Sequence, residues 1–247
     1  MGLLDESYLE ELDQLLLNSG DPSLNIVTNL FKTHPFFLKD HVQLSVSFDF
    51  SAREKHETVL NNIIKTPKEI SILMLASPEL TKLDVETCIS IFNSVNNIIS
   101  VEIKPYSQNQ SNQLNIEYNQ FESYIQKWLN SPIKKRFQFI NEDLIKKSIS
   151  KTNNAYSDDH LYITPNGKFA VLEFDENDRE YFLEFDELSF YESWKAKERQ
   201  MIAVNKHCSQ CRYQGHCLTE HYRNVTSLEH SCNGFKHLLD WFQDRPQ

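Results

Sequence analysis

From residue 24 to residue 149 the chain alternates short apolar runs with amphipathic stretches of about ten to fifteen residues, and few folds satisfy that rhythm. The run EISILMLA at 69–76 is almost continuously apolar, the pattern of a strand covered on both faces. Further strands are expected over 24–30, 42–49, 98–106 and 137–141. Between them, helices are expected over 54–65, stopped by Pro67, and over 83–97 and 118–129, with another beginning at Glu142. Ahead of the first strand, residues 5–17 place Leu9, Leu12, Leu15 and Leu16 at helical spacing, with Asp5 as a cap and Gly20 as a stop. Strands alternating with helices predict right-handed βαβ units and a parallel sheet. Five strands are too few for a closed barrel of eight and suit a partial, open one. The expected class is α/β.

The rhythm changes after Lys151. SKTNNAYSDD reads as a polar linker, and HLYITP and FAVLEFD flank Asn166-Gly167, a strong hairpin turn. DREYFLEFDEL offers a third strand, with Asp175, Glu176 and Asp178 in a solvated turn. A helix is expected over 189–203, the aromatics of FDELSFYESW serving as its packing face, and a closing helix over 233–242. A domain boundary is therefore placed near residue 150, giving domains of 1–150 and 151–247.

Composition narrows the function classes. Five glycines and the absence of G-x-x-x-x-G-K-[ST] or G-x-G-x-x-G argue against a phosphate-cradling loop. A net charge of −10 disfavours nucleic acid as a partner. The one dense basic run, Lys134, Lys135, Arg136 with Lys146 and Lys147, reads as a solvated helix face. No apolar stretch reaches the roughly 18 residues of a membrane span. The acidic amphipathic start is unlike a signal peptide, so a cytoplasmic protein without membrane contact is expected. No G-x-S-x-G or H-E-x-x-H occurs, and no catalytic residue is assigned.

Four of the five cysteines, Cys208, Cys211, Cys217 and Cys232, lie in the last forty residues with the spacing C-x2-C-x5-C-x14-C. Thiolates two residues apart can grip one ion, and two more complete a tetrahedral set. By ligand type alone they suit Zn²⁺ or a four-iron cluster equally. The alternative is four cysteines that are merely buried or solvent-facing. His207, His216, His221 and His230 share the segment, and any of them could supplement a cysteine. Cys88 falls on the apolar face of a helix and reads as core.

The tail CSQCRYQGHCLTEHY…SCNGFKHLLDW resembles the SPASM domain at the C-terminus of radical SAM peptide maturases, and LYITPNGKFAVL resembles the strand pair that precedes its clusters. Upstream, DESYLEELDQLLL, LNIVTNL, VQLSVSFDF and ISVEIKPY look like the later βα units of a radical SAM barrel. Ser47 and Asp49 stand in the family's S-x-D strand end, Thr28-Asn29 in its T-N-G, and His56 in the motif after S-x-D, where a structural role is expected. The resemblance implies a partial (β/α) radical SAM-type barrel over 1–150 and a SPASM-like metal-binding domain over 151–247.

Departures from the family are as informative. The C-x3-C-x2-C triplet that binds the catalytic cluster is absent, and the chain looks as though it begins in the middle of the barrel. S-adenosylmethionine cleavage by this chain alone is therefore not expected. A full SPASM domain resembles a holder for two clusters. Here the upstream linker carries no cysteine, Leu172 stands at the G-x4-C position counted from Gly167, and His221 stands at the C-x3-C position, as a hydrogen-bonding replacement. The resemblance assigns those three positions to the inner cluster, and Cys208, Cys211, Cys217 and Cys232 to a complete outer set holding one [4Fe-4S] cluster, with Zn²⁺ the alternative. The expected function is a divergent SPASM-domain protein of ribosomal peptide maturation that binds a precursor peptide or a modifying enzyme. The alternatives are the C-terminal half of a split radical SAM maturase completed by a partner chain, and a zinc-stabilised interaction protein.

Overall fold

In the computed structural model, residues 6–18, 20, 23–50, 55–105, 116–174, 180–219 and 232–245 are described. Asp5, the acidic run 175–178, His221 and His230 lie outside them. The chain divides into two compact units, one of residues 1–104 and 130–140, the other of 105–129 and 141–247.

The first unit is built on a five-stranded sheet whose order follows the chain: β1 (Leu24–Thr28), β2 (Val42–Ser47), β3 (Ile70–Ala76), β4 (Ile98–Pro105) and β5 (Gln138–Phe139). β1 pairs with β2, β2 with β3 and β4 with β5 in parallel. The sheet is open among the described residues, since β1 and β5 each have one neighbour. In β3, Ile70, Ile72, Met74 and Ala76 are buried and the intervening side chains are half-buried, so neither face meets open solvent. This is what the unbroken apolar run demands.

Between β2 and β3 lies α2 (His56–Lys65), and between β3 and β4 lies α3 (Val85–Asn93). Asp84 caps α3 by accepting from the Thr87 N–H at 2.8 Å and the Thr87 hydroxyl at 2.7 Å, which together hold its carboxyl below the ordinary range. α3 stops at Asn93 instead of running to 97. Asn97 is diverted to cap α2, its amide donating to the carbonyls of Ile63 and Thr66, each at 2.8 Å. Cys88 is buried beside Val85, Ile89 and Phe92, a core residue as the sequence indicates.

α1 (Glu6–Asn18) docks through Leu9, which joins Phe36 and Val42 with Leu24 and Ile26 packed against them. The inner stripe differs from the leucine pattern. Leu15 is 63% exposed, and the buried position is taken by Asp13, which accepts from Lys39 and lies 2.7 Å from His41 Nε2. The Lys39 ammonium beside it holds the Asp13 carboxyl below its usual range. Of the basic run, Lys146 and Lys147 are exposed on α5, Ile140–Ile149, as expected, but the first three residues differ. Lys134, Lys135 and Arg136 lie in the non-helical approach to β5, where Asn93 accepts the Arg136 N–H at 2.8 Å and donates to the Lys134 carbonyl at 2.9 Å.

The second unit contains α4 (Tyr118–Asn130), α5 (Ile140–Ile149), a three-stranded antiparallel sheet, α6 (Leu188–Val204) and α7 (Lys236–Asp244). It thus draws α4 and nearly all of α5 from before residue 150. The small sheet runs β6 (Tyr162–Ile163), β7 (Phe169–Phe174), β8 (Glu180–Phe185) in that order. Its first turn is closed by Thr164 N–H donating to the Lys168 carbonyl at 2.9 Å, with Gly167 at φ +74, a conformation that favours glycine. One face packs Val171 and Phe185 on Trp194 of α6. No described helix is long and apolar enough to cross a membrane.

The buried carboxylate of α6 sets a pH dependence. Glu198 has no solvent exposure and accepts from the Ser157 N–H at 2.9 Å and the Ser157 hydroxyl at 2.8 Å. Burial outweighs both bonds and raises its pKa above 4.5. A raised carboxyl contributes stability that is present in full below the ordinary glutamate range and is lost as pH rises through the folded value. Glu198→Gln keeps both contacts, its carbonyl accepting from the N–H and its amide donating to the Ser157 oxygen. Urea unfolding between pH 4.5 and 7.5 is expected to show the natural chain weakening relative to Glu198→Gln as pH rises. Glu198→Ala, which strands the Ser157 N–H, is expected to cost about 1–3 kcal/mol.

Candidate metal centre

The four cysteines of the tail are brought into one neighbourhood. Asn205, at the end of α6, accepts the N–H groups of His207 at 2.9 Å and Cys208 at 3.1 Å, turning the chain out of the helix. The Cys211 N–H then donates to the Cys208 carbonyl at 3.0 Å, so the C-x2-C pair occupies one tight turn. Asn153 donates to the Cys217 carbonyl at 2.7 Å, and its own carbonyl lies 2.6 Å from His216 Nδ1. Ala155 N–H donates to the Gly215 carbonyl at 3.0 Å. Residues 153–157 are therefore part of the site's frame, where the sequence reading places a polar linker.

Cys232 is set from the other side. Leu218 N–H donates to the Gly234 carbonyl at 3.3 Å. Phe235, buried and left-handed at φ +54, packs on Phe121 and Tyr118 of α4 with ring centroids 4.8 and 5.5 Å away. A bulky residue in that region costs on the order of 1–3 kcal/mol and persists only where its surroundings over-determine it. Glu122, also on α4, accepts the Leu238 N–H at 3.2 Å in the first turn of α7; burial pushes its carboxyl up.

All the cysteines are free of disulfides; Cys208 and Cys217 are buried, Cys211 is half-buried and Cys232 exposed. Burial pushes the Cys208 thiol up to about 12, and the sulfurs of Cys217, Cys232 and Cys211 push it the same way. A thiol so raised is a poor nucleophile at neutral pH. A bound cation reverses that balance by deprotonating its ligands. Among the described residues no three His, Cys, Asp or Glu side chains converge as ligands of one ion.

Two features of the site fit a thiolate-bound metal: the donor set is four sulfurs, and the backbone leaves them room at Gly234. A Cβ at Gly234 would stand 2.7 Å from Cys217 Sγ and 3.7 Å from Cys232 Sγ. Cys217 thus crowds a point that only a glycine leaves open, with Cys232 Sγ in ordinary contact beside it. Gly234→Ala is expected to lower stability by about 1–3 kcal/mol through overpacking and to lower metal retention at least tenfold. Urea midpoints and metal-to-protein ratios measure the two effects.

Tyr118, near Cys232, and Tyr156, near Cys208 and Cys217, flank the sulfurs, and burial raises both phenols. His216 is engaged at Nδ1 by Asn153, which leaves Nε2 as its only ligating nitrogen, and His207 is exposed. The contribution of α4 is missing from the sequence reading, although a signal was present: Glu122 falls on the apolar face with Phe121 and Ile125, an acid where the wheel calls for a core residue. No protein-family model matches the chain, and no curated protein or solved structure is significantly similar to it.

Proposed function

We propose that this chain is a binding protein whose C-terminal unit is braced by one metal centre on Cys208, Cys211, Cys217 and Cys232, and that it engages a precursor peptide or a modifying enzyme in the maturation of a ribosomally made peptide. The observation that carries the metal centre is the electrostatic proximity of all four sulfurs together with the glycine-only opening beside Cys217 and Cys232. The peptide-maturation role rests on the likeness of the tail to the SPASM domain. When bound, the metal supplies folding free energy to a loop-built segment. The chain's own residues do the rest: Asn205 and Asn153 fix the cysteine turns, and Phe235 with Glu122 fixes the Cys232 end.

A second reading, the C-terminal half of a split radical SAM maturase, draws on the edge at β1, open among the described residues, which a partner chain's strands could extend.

The test is metal and sulfide analysis of protein purified without oxygen. About four irons with sulfide support the cluster, and one zinc supports a structural zinc site. Neither metal at stoichiometric level overturns the centre. An anaerobic assay for 5′-deoxyadenosine, with the chain alone and with a chain carrying C-x3-C-x2-C, decides the split-enzyme reading; product only in the combination supports it.

A further inference from the structure

We propose that the outer edge of β8 accepts an extended, basic peptide as a fourth strand of the small sheet; this rests on the reading of the chain as a peptide-binding protein and names the surface that would do the binding. Among the described residues β8 has β7 as its one neighbour, in the register Val171↔Leu183 and Leu172↔Phe182. The Thr164 N–H to Lys168 carbonyl bond makes Thr164 and Lys168 a hydrogen-bonded pair of the β6–β7 ladder. Alternation along β7 then turns the polar groups of Phe169, Val171 and Glu173 to β8, and along β8 those of Leu183 and Phe185 back to β7. The N–H and C=O of Phe182 and Glu184 point to the outer edge. At the opposite edge, β6 is two residues long and too short to template a strand.

The face beside that edge is unlike an ordinary solvated one. The inner face packs on α6; on the outer face Ala170 is buried while Phe182 beside the edge is exposed, and an exposed sheet surface is normally polar. Here it carries Tyr162, Leu172 and Phe182, with the Tyr162 and Phe182 rings 5.1 Å apart and Phe182 53% exposed. Strand addition draws affinity from main-chain hydrogen bonds and specificity from alternate side chains over such a surface.

Charge selects the occupant. Residues 173–187 hold eight acidic side chains against one arginine, seven of the chain's ten excess negative charges. Glu184, Asp186 and Glu187 are exposed. Two copies meeting edge to edge would oppose these charges, whereas a strand alternating lysine or arginine with apolar residues would match them.

The test uses the full chain and a fluorescent twelve-residue peptide alternating lysine with valine or threonine, beside a counterpart with glutamate for lysine, followed by anisotropy at low salt. The lysine peptide is expected to bind, the glutamate peptide not, and added salt to weaken the complex. Glu184→Pro removes an outward N–H while sparing the β7 ladder, and Phe182→Ser removes the apolar grip from an exposed position. Each is expected to weaken binding at least tenfold, with circular dichroism confirming the fold. Hydrogen exchange of the amides at 182 and 184 in the natural chain, expected to slow on peptide addition, reads the edge without any variant. Binding that neither variant changes, with no such slowing, overturns the β8 edge and leaves the peptide-binding reading standing. Absence of binding by the natural chain overturns both. A dimer that Glu184→Pro dissociates overturns the basic peptide in favour of a second copy.

Discussion

Cys208→Ser is expected to reduce metal retained on purification from one centre per chain to less than a tenth of that, while Cys88→Ser leaves it unchanged. Cys208 is buried, opens the C-x2-C turn and shares its neighbourhood with the other three sulfurs. Serine keeps the shape but supplies no thiolate, and structural sites owe apparent binding free energies of about 10–16 kcal/mol to a full set of deprotonated ligands. The control is informative because Cys88 is also buried, at 2% exposure, but sits in the core of the first unit on α3. Metal counted against protein concentration, with sulfide measured in parallel, gives the ratio. Retention of the metal by Cys208→Ser, or its loss from Cys88→Ser, would remove the four-thiolate assignment. Since all three tryptophans, Trp128, Trp194 and Trp241, lie in the second unit, their fluorescence reports the stability that unit loses with the metal.

The parts of this fold that could be read from the sequence are those written as a period. EISILMLA and VQLSVS announce buried strands because burial on two faces, or on one, leaves a mark at every residue or every second residue. The same holds for the Asn166-Gly167 turn, where one residue must adopt positive φ. Ends were less legible, since caps compete with propensity: Asn97 serves α2 instead of prolonging α3. The frame of the cysteine site was the least legible part. Its ligand spacing is local and visible, but its supports arrive from distant stretches, Glu122 reaching Leu238 and Asn153 reaching Cys217. No periodicity encodes such pairs. Phe235 shows the same limit, because nothing in the letters N-G-F says that the phenylalanine, not the glycine, takes the left-handed conformation.

Phe92→Ala should produce the largest loss of stability in the first unit, about 3–5 kcal/mol, the cost of emptying a buried aromatic site. Phe92 is 1% exposed and is the hub of four rings, its centroid 5.8 Å from Phe48, 5.3 Å from Phe50 and 6.0 Å from Phe137. Those partners come from the chain leaving β2 and the chain entering β5, so one side chain on α3 ties three segments together. Aromatic pairs add about 0.5–1.5 kcal/mol each beyond the area they bury, and a domain's whole stability is only about 5–15 kcal/mol. With a urea slope of about 1–3 kcal/mol per molar, the ellipticity midpoint should fall by roughly 2 M. Phe92→Leu keeps most of the volume and should cost about 1 kcal/mol. With no tryptophan in the first unit, an early loss of ellipticity ahead of the tryptophan fluorescence change would mark that unit unfolding separately. Coincident curves would instead show both units melting in one cooperative step, and an unshifted midpoint would mean the four-ring cluster contributes far less than its burial predicts.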